Sequence, residues 1–171
     1  MIILDTNVVS ETMHAAPSAT VLDWLNAQAR NTMFISAVTV GELNYGIECL
    51  PGGKRKDALK ASYLTLIDKT FAGRVLEYDD RAADLYGLAM ATARACGLTV
   101  SIPDGIIAGI ALARDFGVAT RDTAPYLAMG VSTVIDPWTE KTWRRDQLSG
   151  APRTYAPYDY RITSKQERTK P

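Results

Sequence analysis

Four acidic residues occur where the sequence predicts that a strand ends or a helix begins. Asp5 directly follows a short apolar run, and Asp122 closely follows another. Asp104 falls in the first turn of a predicted helix, and Glu42 lies about two turns inside a different one. In open parallel sheets, ligands bind beyond the carboxyl ends of the strands. We therefore expect Asp5, Asp104 and Asp122 at or near one sheet edge, with the long side chain of Glu42 reaching back toward it.

A cluster of carboxylates is unstable without a cation. Two carboxylates about 4 Å apart repel each other by roughly 4 kcal/mol at an effective dielectric constant of 20. Mg²⁺ and Mn²⁺ offset such repulsion because both favour oxygen ligands. A metal held in this way can activate a water molecule without histidine and can stabilise the charge that develops on a phosphodiester. The four acids therefore predict metal-dependent phosphodiester hydrolysis.

The single histidine, and residues missing at other positions, argue against several other kinds of protein. A ribonuclease mechanism that uses two histidines is excluded because His14 stands alone. A Ser-His-Asp hydrolase would need His14, but no Gly-x-Ser-x-Gly turn accompanies it. A phosphatase with a strand-end aspartate as nucleophile usually needs a second aspartate two residues later, where this chain has Asn7. A receiver-type phospho-acceptor domain would need a clustered acidic pair and a late lysine, and neither is evident.

Each acid also has a structural interpretation. Asp122 could be a helix N-cap, and Asp104 could interact favourably with a helix dipole. These interpretations explain Asp5 and Glu42 poorly, because Asp5 ends a buried strand and Glu42 lies in a largely apolar helix. The non-enzymatic alternative is a silent module that only binds RNA or a protein, and the mutual repulsion of four retained acids argues against it.

Strands alternate with helices along the chain. Short apolar runs predict the strands, and apolar residues at helical spacing predict the helices between them. Short connections favour parallel strands with helices on both faces. The sequence therefore predicts an α/β fold, a three-layer α/β/α sandwich with a five-stranded parallel sheet. The predicted strands are 2–4, 33–35, 74–78, 118–120 and 133–135.

Some single residues indicate where helices begin or pack. Ser36 is predicted to cap the helix after the second strand, and Asp79 or Asp80 the helix after the third. Gly109 lies inside a predicted helix, where glycine costs about 1 kcal/mol relative to alanine. We therefore expect close helix packing at Gly109.

The composition predicts one domain with an extension. A chain of 171 residues with 47% hydrophobic residues suits a single domain, predicted at 1–138. Apolar periodicity stops after Trp138, so residues 139–171 are predicted to be a basic, flexible extension. Residues 1–138 contain 15 acidic and 11 basic residues, and residues 139–171 contain four acidic and eight basic ones. An acidic body binds polyanions poorly, so RNA binding would depend on local basic residues, bound cations or the extension.

Two further features concern the cellular compartment. No apolar segment approaches the ~20 residues that span a bilayer, so we expect a soluble protein that is cytoplasmic in a bacterium and has no membrane partner. Cys49 and Cys96 cannot form a disulfide framework or a zinc site by themselves and are predicted to be buried thiols.

Three basic residues are candidates for RNA contact. Lys54 and Arg55 belong to a short basic run that could touch phosphate, although such runs are usually solvated. Arg121 stands beside Asp122 and could either contact phosphate or pair with a carboxylate.

Four segments resemble the motifs of a known family. Asp-Thr-Asn-Val at 5–8 resembles the opening motif of PIN domains, and Thr-Val-Gly-Glu-Leu at 39–43 resembles the segment with the second acid. Pro-Asp-Gly-Ile-Ile-Ala at 103–108 and Ala-Thr-Arg-Asp at 119–122 resemble the third and fourth. Their order and spacing are similar to those of VapC toxins of type II toxin–antitoxin pairs, especially the FitB-like branch. Each motif alone is weak evidence for the family, but four motifs in the family's order are strong evidence.

The resemblance implies a function and a set of partners. It implies an endoribonuclease dependent on Mg²⁺, with Mn²⁺ as a substitute, that forms a homodimer and is inhibited by a cognate VapB-type antitoxin. It also implies that the following acids are metal ligands: Asp5, Glu42, Asp104 and Asp122. Thr6, Asn7 and Thr120 match positions that line or support the site. Asn7 could hydrogen-bond Asp5 or a coordinated water, and Thr120 could orient a carboxylate.

Overall fold

A six-stranded sheet forms the centre of the computed structural model, which describes residues 1–145 of the chain. The strands are β1 Ile2–Leu4, β2 Met33–Ser36, β3 Val75–Leu76, β4 Gly117–Ala119, β5 Thr133–Asp136 and β6 Lys141–Arg144. Their order across the sheet is β3-β2-β1-β4-β5-β6. The first five strands are parallel, and β6 is antiparallel to β5.

Helices cover both faces of this sheet. Ile3 packs in one core cluster with residues of the later helices, while Leu4 packs in a second cluster with residues of the earlier ones. This alternation confirms the predicted three-layer α/β/α fold. Within the described part of the chain, no helix is long and apolar enough to cross a membrane. The helices are α1 Thr6–Glu11, α2 Ala19–Ala27, α3 Ala37–Glu48, α4 Lys54–Thr65 with a π-helical turn Leu66–Thr70, α5 Asp80–Ala95, α6 Ile102–Arg114 and α7 Thr123–Ala128.

The prediction of five strands was wrong, because the chain adds a sixth after Trp138. β6 pairs with β5 from Asp136↔Lys141 to Thr133↔Arg144. It joins the sheet through backbone hydrogen bonds while most of its side chains are exposed, so apolar periodicity does not reveal it. The remainder of the predicted extension, 146–171, lies outside the described residues.

Polar side chains accept hydrogen bonds from backbone N–H groups at the beginnings of four helices, and Asp5 caps the first of them, α1. Ser36 accepts from Thr39 N and caps α3, and Asp79 accepts from Ala82 N and caps α5. Both caps confirm the sequence prediction. Ser101 caps α6, which begins one residue before Pro103.

The two cysteines are exposed, which corrects the prediction that they are buried. Cys49 is the C-cap of α3 and Cys96 is the C-cap of α5. Each therefore lies where its helix has ended, and the apolar stripe that predicts burial does not extend to it.

Helices α5 and α6 pack very closely at Gly109. A Cβ atom added to Gly109 would lie 2.5 Å from the carbonyl oxygen of Ala82 and 3.0 Å from the backbone nitrogen of Tyr86. Both contacts are with backbone, which cannot rotate away. The predicted close packing at Gly109 is confirmed.

We expect Gly109→Ala to destabilise the protein by roughly 1–3 kcal/mol, because the methyl group forces the two helices apart. Gly87 is the matched control, since it lies in α5 and a Cβ added to it meets nothing within 4 Å. Gly87→Ala should stabilise the protein by roughly 0.5–1 kcal/mol. Urea denaturation of both variants measures the two effects, and equal unfolding midpoints would contradict the packing argument.

Candidate active site

Asp5 and Thr120 meet because of the register between neighbouring parallel strands. Leu4, the last residue of β1, pairs with Ala119, the last residue of β4. The next residue on each strand therefore leaves the sheet at the same edge. The backbone N–H of Asp5 donates to Ala119 O at 2.9 Å, which continues the pairing to the point where the chains diverge.

Three donors hold the Asp5 carboxylate, whose residue is only 4% exposed. The backbone N–H of Thr6 donates to Oδ1 at 2.7 Å. Asn7 Nδ2 and Thr120 Oγ1 donate to Oδ2 at 2.8 Å and 2.7 Å. The hydrogen bond predicted from Asn7 to Asp5 is thus present, and Thr120 orients the same carboxylate. All three donors are neutral groups, so they fix the carboxylate without cancelling its charge.

Burial raises the pKa of Asp5 from 3.8 to about 6. The hydrogen bond from Thr120 lowers this pKa, the charge of Asp104 raises it, the backbone N–H of Thr6 lowers it, and the charge of Glu42 raises it. Thr6 links two of these acids directly, because its N–H donates to Asp5 and its hydroxyl group donates to Glu42, and the charges of Asp104 and Glu42 both raise the pKa of Asp5. The structure therefore brings three of the four predicted acids into one electrostatic cluster.

Glu42 is held at the cluster by hydroxyl groups. Thr6 Oγ1 donates to Glu42 Oε2 at 2.5 Å and lies 3.3 Å from Thr39 Oγ1. Thr39 is itself buried and lies 3.0 Å from the Ser36 hydroxyl that caps α3. The helix cap and the site thus share one chain of hydroxyl groups, which links the start of α1 to α3.

Asp104 is held by a reciprocal pair of hydrogen bonds at the start of α6. Ser101 Oγ donates to Asp104 Oδ2 at 2.7 Å, and Asp104 N–H donates to Ser101 Oγ at 3.1 Å. Tyr126 OH donates to the other carboxylate oxygen, Oδ1, at 3.4 Å. Both oxygens of Asp104 therefore have a neutral donor.

Tyr126 is a site residue that the sequence analysis missed. Its side chain is fully buried in the core cluster that also contains residues of α5 and α6, and its hydroxyl group reaches Asp104. Burial, together with the charges of Asp5 and Asp104, raises its pKa well above the usual value, so the phenol stays a neutral donor. Its position four residues after Asp122 on a short helix was the available signal.

Asp122 is exposed at the rim of the site. Its backbone N–H donates to Thr120 Oγ1 at 3.1 Å, but its side chain forms no cap hydrogen bond to α7. Asp122 is thus the N-cap residue of α7 by position, as the structural interpretation allows, but its carboxylate is not used as a cap. The backbone N–H of Arg121, the residue before Asp122, donates to Asn7 Oδ1 at 3.3 Å. The segment that carries Asp122 is thus tied to the hydrogen-bond network around Asp5.

The four acids have no basic partner within residues 1–145. The ion pairs in this part of the chain involve Glu11, Glu48 and Asp79 instead. The four acids offer carboxylate oxygens and carry uncompensated negative charge. Both properties fit a hard divalent cation. No three Asp, Glu, His or Cys side chains in this region stand close enough together to hold one metal ion, so a full ligand set requires the acids to draw together.

Lys54 and Arg55 do not join the site. Both are exposed at the start of α4, and neither forms a hydrogen bond or ion pair with the four acids in the described structure. Lys56, the next residue of this basic run, forms an ion pair with Glu48 instead. Lys60, one turn later on α4, pairs with the same carboxylate. Their predicted contact with RNA stays a prediction.

Most of the chain is similar in sequence to proteins of a known family. The sequence profile described as "PIN domain" matches residues 2–128. The chain is 48% identical to the plasmid stability protein StbB of Pseudomonas syringae pv. tomato. It is 43% identical to the VapC ribonuclease Y4jK of Sinorhizobium fredii and 38% identical to the toxin FitB of Neisseria gonorrhoeae. Each match covers 81% of this chain and 98% or 99% of the relative.

A solved structure has the same architecture. The complex described as "FitAB bound to IR36 DNA fragment" contains a chain that is 37% identical, with a TM-score of 0.76. The match covers 81% of this chain and 96% of that one. The fold of this chain is therefore similar to the fold of that chain.

Asp5 should make the stability of the metal-free protein depend on pH. Its folded pKa of about 6 exceeds the unfolded value of 3.8, so the folded state binds the proton more tightly. This contribution is fully present below about pH 4 and is lost as pH rises through about 6, and it amounts to about 3 kcal/mol.

Urea denaturation in EDTA gives the free energy of unfolding of wild type and of Asp5→Asn at several pH values between about 4 and 6. The difference between the two proteins measures the contribution of Asp5. The comparison uses slopes against pH rather than absolute stabilities, because the amide also alters the hydrogen bonds to Thr6, Asn7 and Thr120. The variant should lose the part of the slope that belongs to Asp5. Parallel slopes would show that burial does not raise this pKa.

Proposed function

Because the chain belongs to the PIN domain family, we propose that it is a metal-dependent endoribonuclease and the toxin of a type II toxin–antitoxin module similar to VapBC. One observation carries the proposal: acidic side chains gather around the buried Asp5 with neutral donors and no basic partner in the described structure. A protein that used these acids only for structure would neutralise them with Lys or Arg. The surplus charge suits a bound cation.

The residues that would hold Mg²⁺, with Mn²⁺ as a substitute, are Asp5, Glu42, Asp104 and Asp122. When bound, the cation supplies stabilisation of the negative charge that develops on a phosphodiester during hydrolysis. The chain itself provides the orientation of the ligands. Hydrogen bonds to neutral donors restrict the rotamers of the inner acids, while binding of a cation would still draw the acids closer together.

Each inner acid has its own positioning residues. Thr120 and Asn7 orient Asp5, while the Thr6 hydroxyl orients Glu42. Ser101 bonds Oδ2 of Asp104 and Tyr126 bonds Oδ1, so the two residues together orient this carboxylate. Because these donors are neutral, the acids keep their negative charge for a cation. A proton on Asp5 competes with that cation as pH falls toward about 6.

The proposal includes partners. The relatives named VapC ribonuclease and toxin FitB support RNA as the substrate and a toxin role. The FitAB complex supports a VapB-type antitoxin encoded with this chain, and we propose a homodimer as the family resemblance implies. The acidic body, with its uncompensated carboxylates, is suited to a basic segment of such an antitoxin.

Asp104→Asn should abolish RNA cleavage while leaving the fold intact, because it removes one charge from the cluster and keeps the side-chain shape. We expect the cleavage rate to fall at least roughly 100-fold, since residues that only orient metal ligands usually contribute 10–100-fold. The assay uses a mixed pool of transfer RNA and structured RNA with Mg²⁺, with Mn²⁺ and with EDTA. Asp84→Asn is the control, because Asp84 is an exposed acid on α5.

Discrete cuts in wild type and in Asp84→Asn that vanish with EDTA and in Asp104→Asn would support the proposal. If wild type bound metal in calorimetry but cut no RNA, the chain would instead be the silent binding module that is the alternative. Thermal unfolding of both variants shows whether any loss of cleavage comes from loss of the fold.

A further inference from the structure

Arg121 is the basic side chain closest in sequence to the site, between Thr120 and Asp122, and it does not behave as a partner of the acids. Its backbone N–H donates to Asn7, but its guanidinium group turns to the ring of Trp138. The guanidinium carbon lies 4.1 Å from the ring centroid, which is a cation–π contact. The sequence left open whether Arg121 pairs with a carboxylate, and the structure answers that question for the described residues.

The guanidinium group is exposed and keeps its hydrogen-bonding capacity. Within residues 1–145 it forms no ion pair, and none of its N–H donors forms a hydrogen bond. An arginine side chain beside Asp122 and the Asp5 network would normally pair with a carboxylate. The stack on Trp138 therefore directs a positive charge to the rim of the site without neutralising the acids.

Trp138 is a fixed platform for this cation. Its backbone N–H donates to Asp136 Oδ1 at 2.9 Å, and Thr139 Oγ1 donates to Asp136 Oδ2 at 2.7 Å, so one carboxylate holds the turn between β5 and β6. The Trp138 side chain packs against the core cluster that contains Leu4 and Ala119. Its Nε1 is buried and has no acceptor among the described residues, so the contact with Arg121 is made through the ring.

We propose that Arg121, stacked on Trp138, is a phosphate-binding subsite for single-stranded RNA beside the carboxylate site, and that Trp138 is its positioning residue. The inference rests on the proposed nuclease function and deepens it. The acids that suit a metal repel the phosphates of the substrate, and residues 1–138 carry more acidic than basic residues. A guanidinium held at the rim offers planar, bidentate donors to a phosphate next to the one that is cut.

The experiment measures RNA binding and cleavage by the full chain. Binding is followed by fluorescence anisotropy with a short, fluorescein-labelled single-stranded RNA of mixed sequence, in the Asp104→Asn background so that the RNA stays intact, over a range of salt concentrations. Cleavage by the otherwise wild-type chain gives kcat and KM separately. The variants are Arg121→Gln, Trp138→Leu, Trp138→Phe and the double variant Arg121→Gln/Trp138→Leu.

Arg81→Gln is the matched control. Arg81 is exposed near the start of α5, and α5 and α6 are antiparallel, as the Asp79–Arg114 ion pair and the Ala82–Gly109 contact show. Arg81 therefore lies toward the end of the helix pair that is far from Asp104. Its loss removes one positive charge without touching the proposed subsite.

Arg121→Gln should weaken RNA binding roughly tenfold, raise KM more than it lowers kcat, and reduce the slope of log affinity against log salt by about 0.7. Trp138→Leu should reproduce these changes and Trp138→Phe should restore wild-type binding, because phenylalanine keeps an aromatic face. The double variant should bind no more weakly than Arg121→Gln alone, since Trp138 acts through Arg121. Arg81→Gln should leave binding and the salt slope close to wild type.

An unchanged salt slope and KM in Arg121→Gln, in a protein that cleaves RNA, would overturn the inference and leave the proposed function standing. Additive losses in the double variant would overturn the positioning role of Trp138. Absence of cleavage by wild type, together with absence of RNA binding in the Asp104→Asn background, would overturn the proposed function itself. If Trp138→Leu did not fold, Trp138→Phe and Arg121→Gln would still decide the question.

Discussion

The burial of Asp5 at the end of the central strand is the constraint on which the rest of the site depends. A carboxylate in this position loses its hydration, and the protein must compensate for that loss or accept a proton. The compensation comes from donors on two separate segments: Thr6 and Asn7 follow β1, and Thr120 follows β4. These hydrogen bonds join the start of α1 to the segment after β4 at the sheet edge, and the Thr6 hydroxyl extends the network to Glu42.

Neutral donors and a diverted arginine give the site its electrostatic character. Hydroxyl, amide and phenol groups orient the inner acids, and none of them removes negative charge. Arg121, the cation best placed to do so, is stacked on Trp138 instead. The same fold that gathers the acids therefore leaves them without a basic partner in residues 1–145 and keeps a positive charge beside Asp122.

The strand-end acids could be predicted from the sequence because parallel strands deliver their carboxyl ends to one edge. The supporting residues were less accessible. In the sequence, Tyr126 looks like an ordinary core aromatic residue, and only the structure shows its hydroxyl group bonding Asp104. Ser101 likewise looks like a simple helix cap, but its hydroxyl group also bonds Asp104. Strand β6 was missed because an edge strand needs only backbone partners. The two cysteines were placed wrongly because helix periodicity does not say at which residue a helix ends.

Sequence alone determined the alternation of strands and helices and the three-layer fold, and it predicted acids at the sheet edge, because these follow from apolar periodicity and from residue order along the chain. The tertiary structure decided which groups touch: that Thr120 bonds Asp5, that Asp122 stays at the rim, and that Arg121 turns to Trp138. These contacts join segments far apart in sequence. Their partners depend on strand register and helix packing, and neither is written in the local pattern of residues.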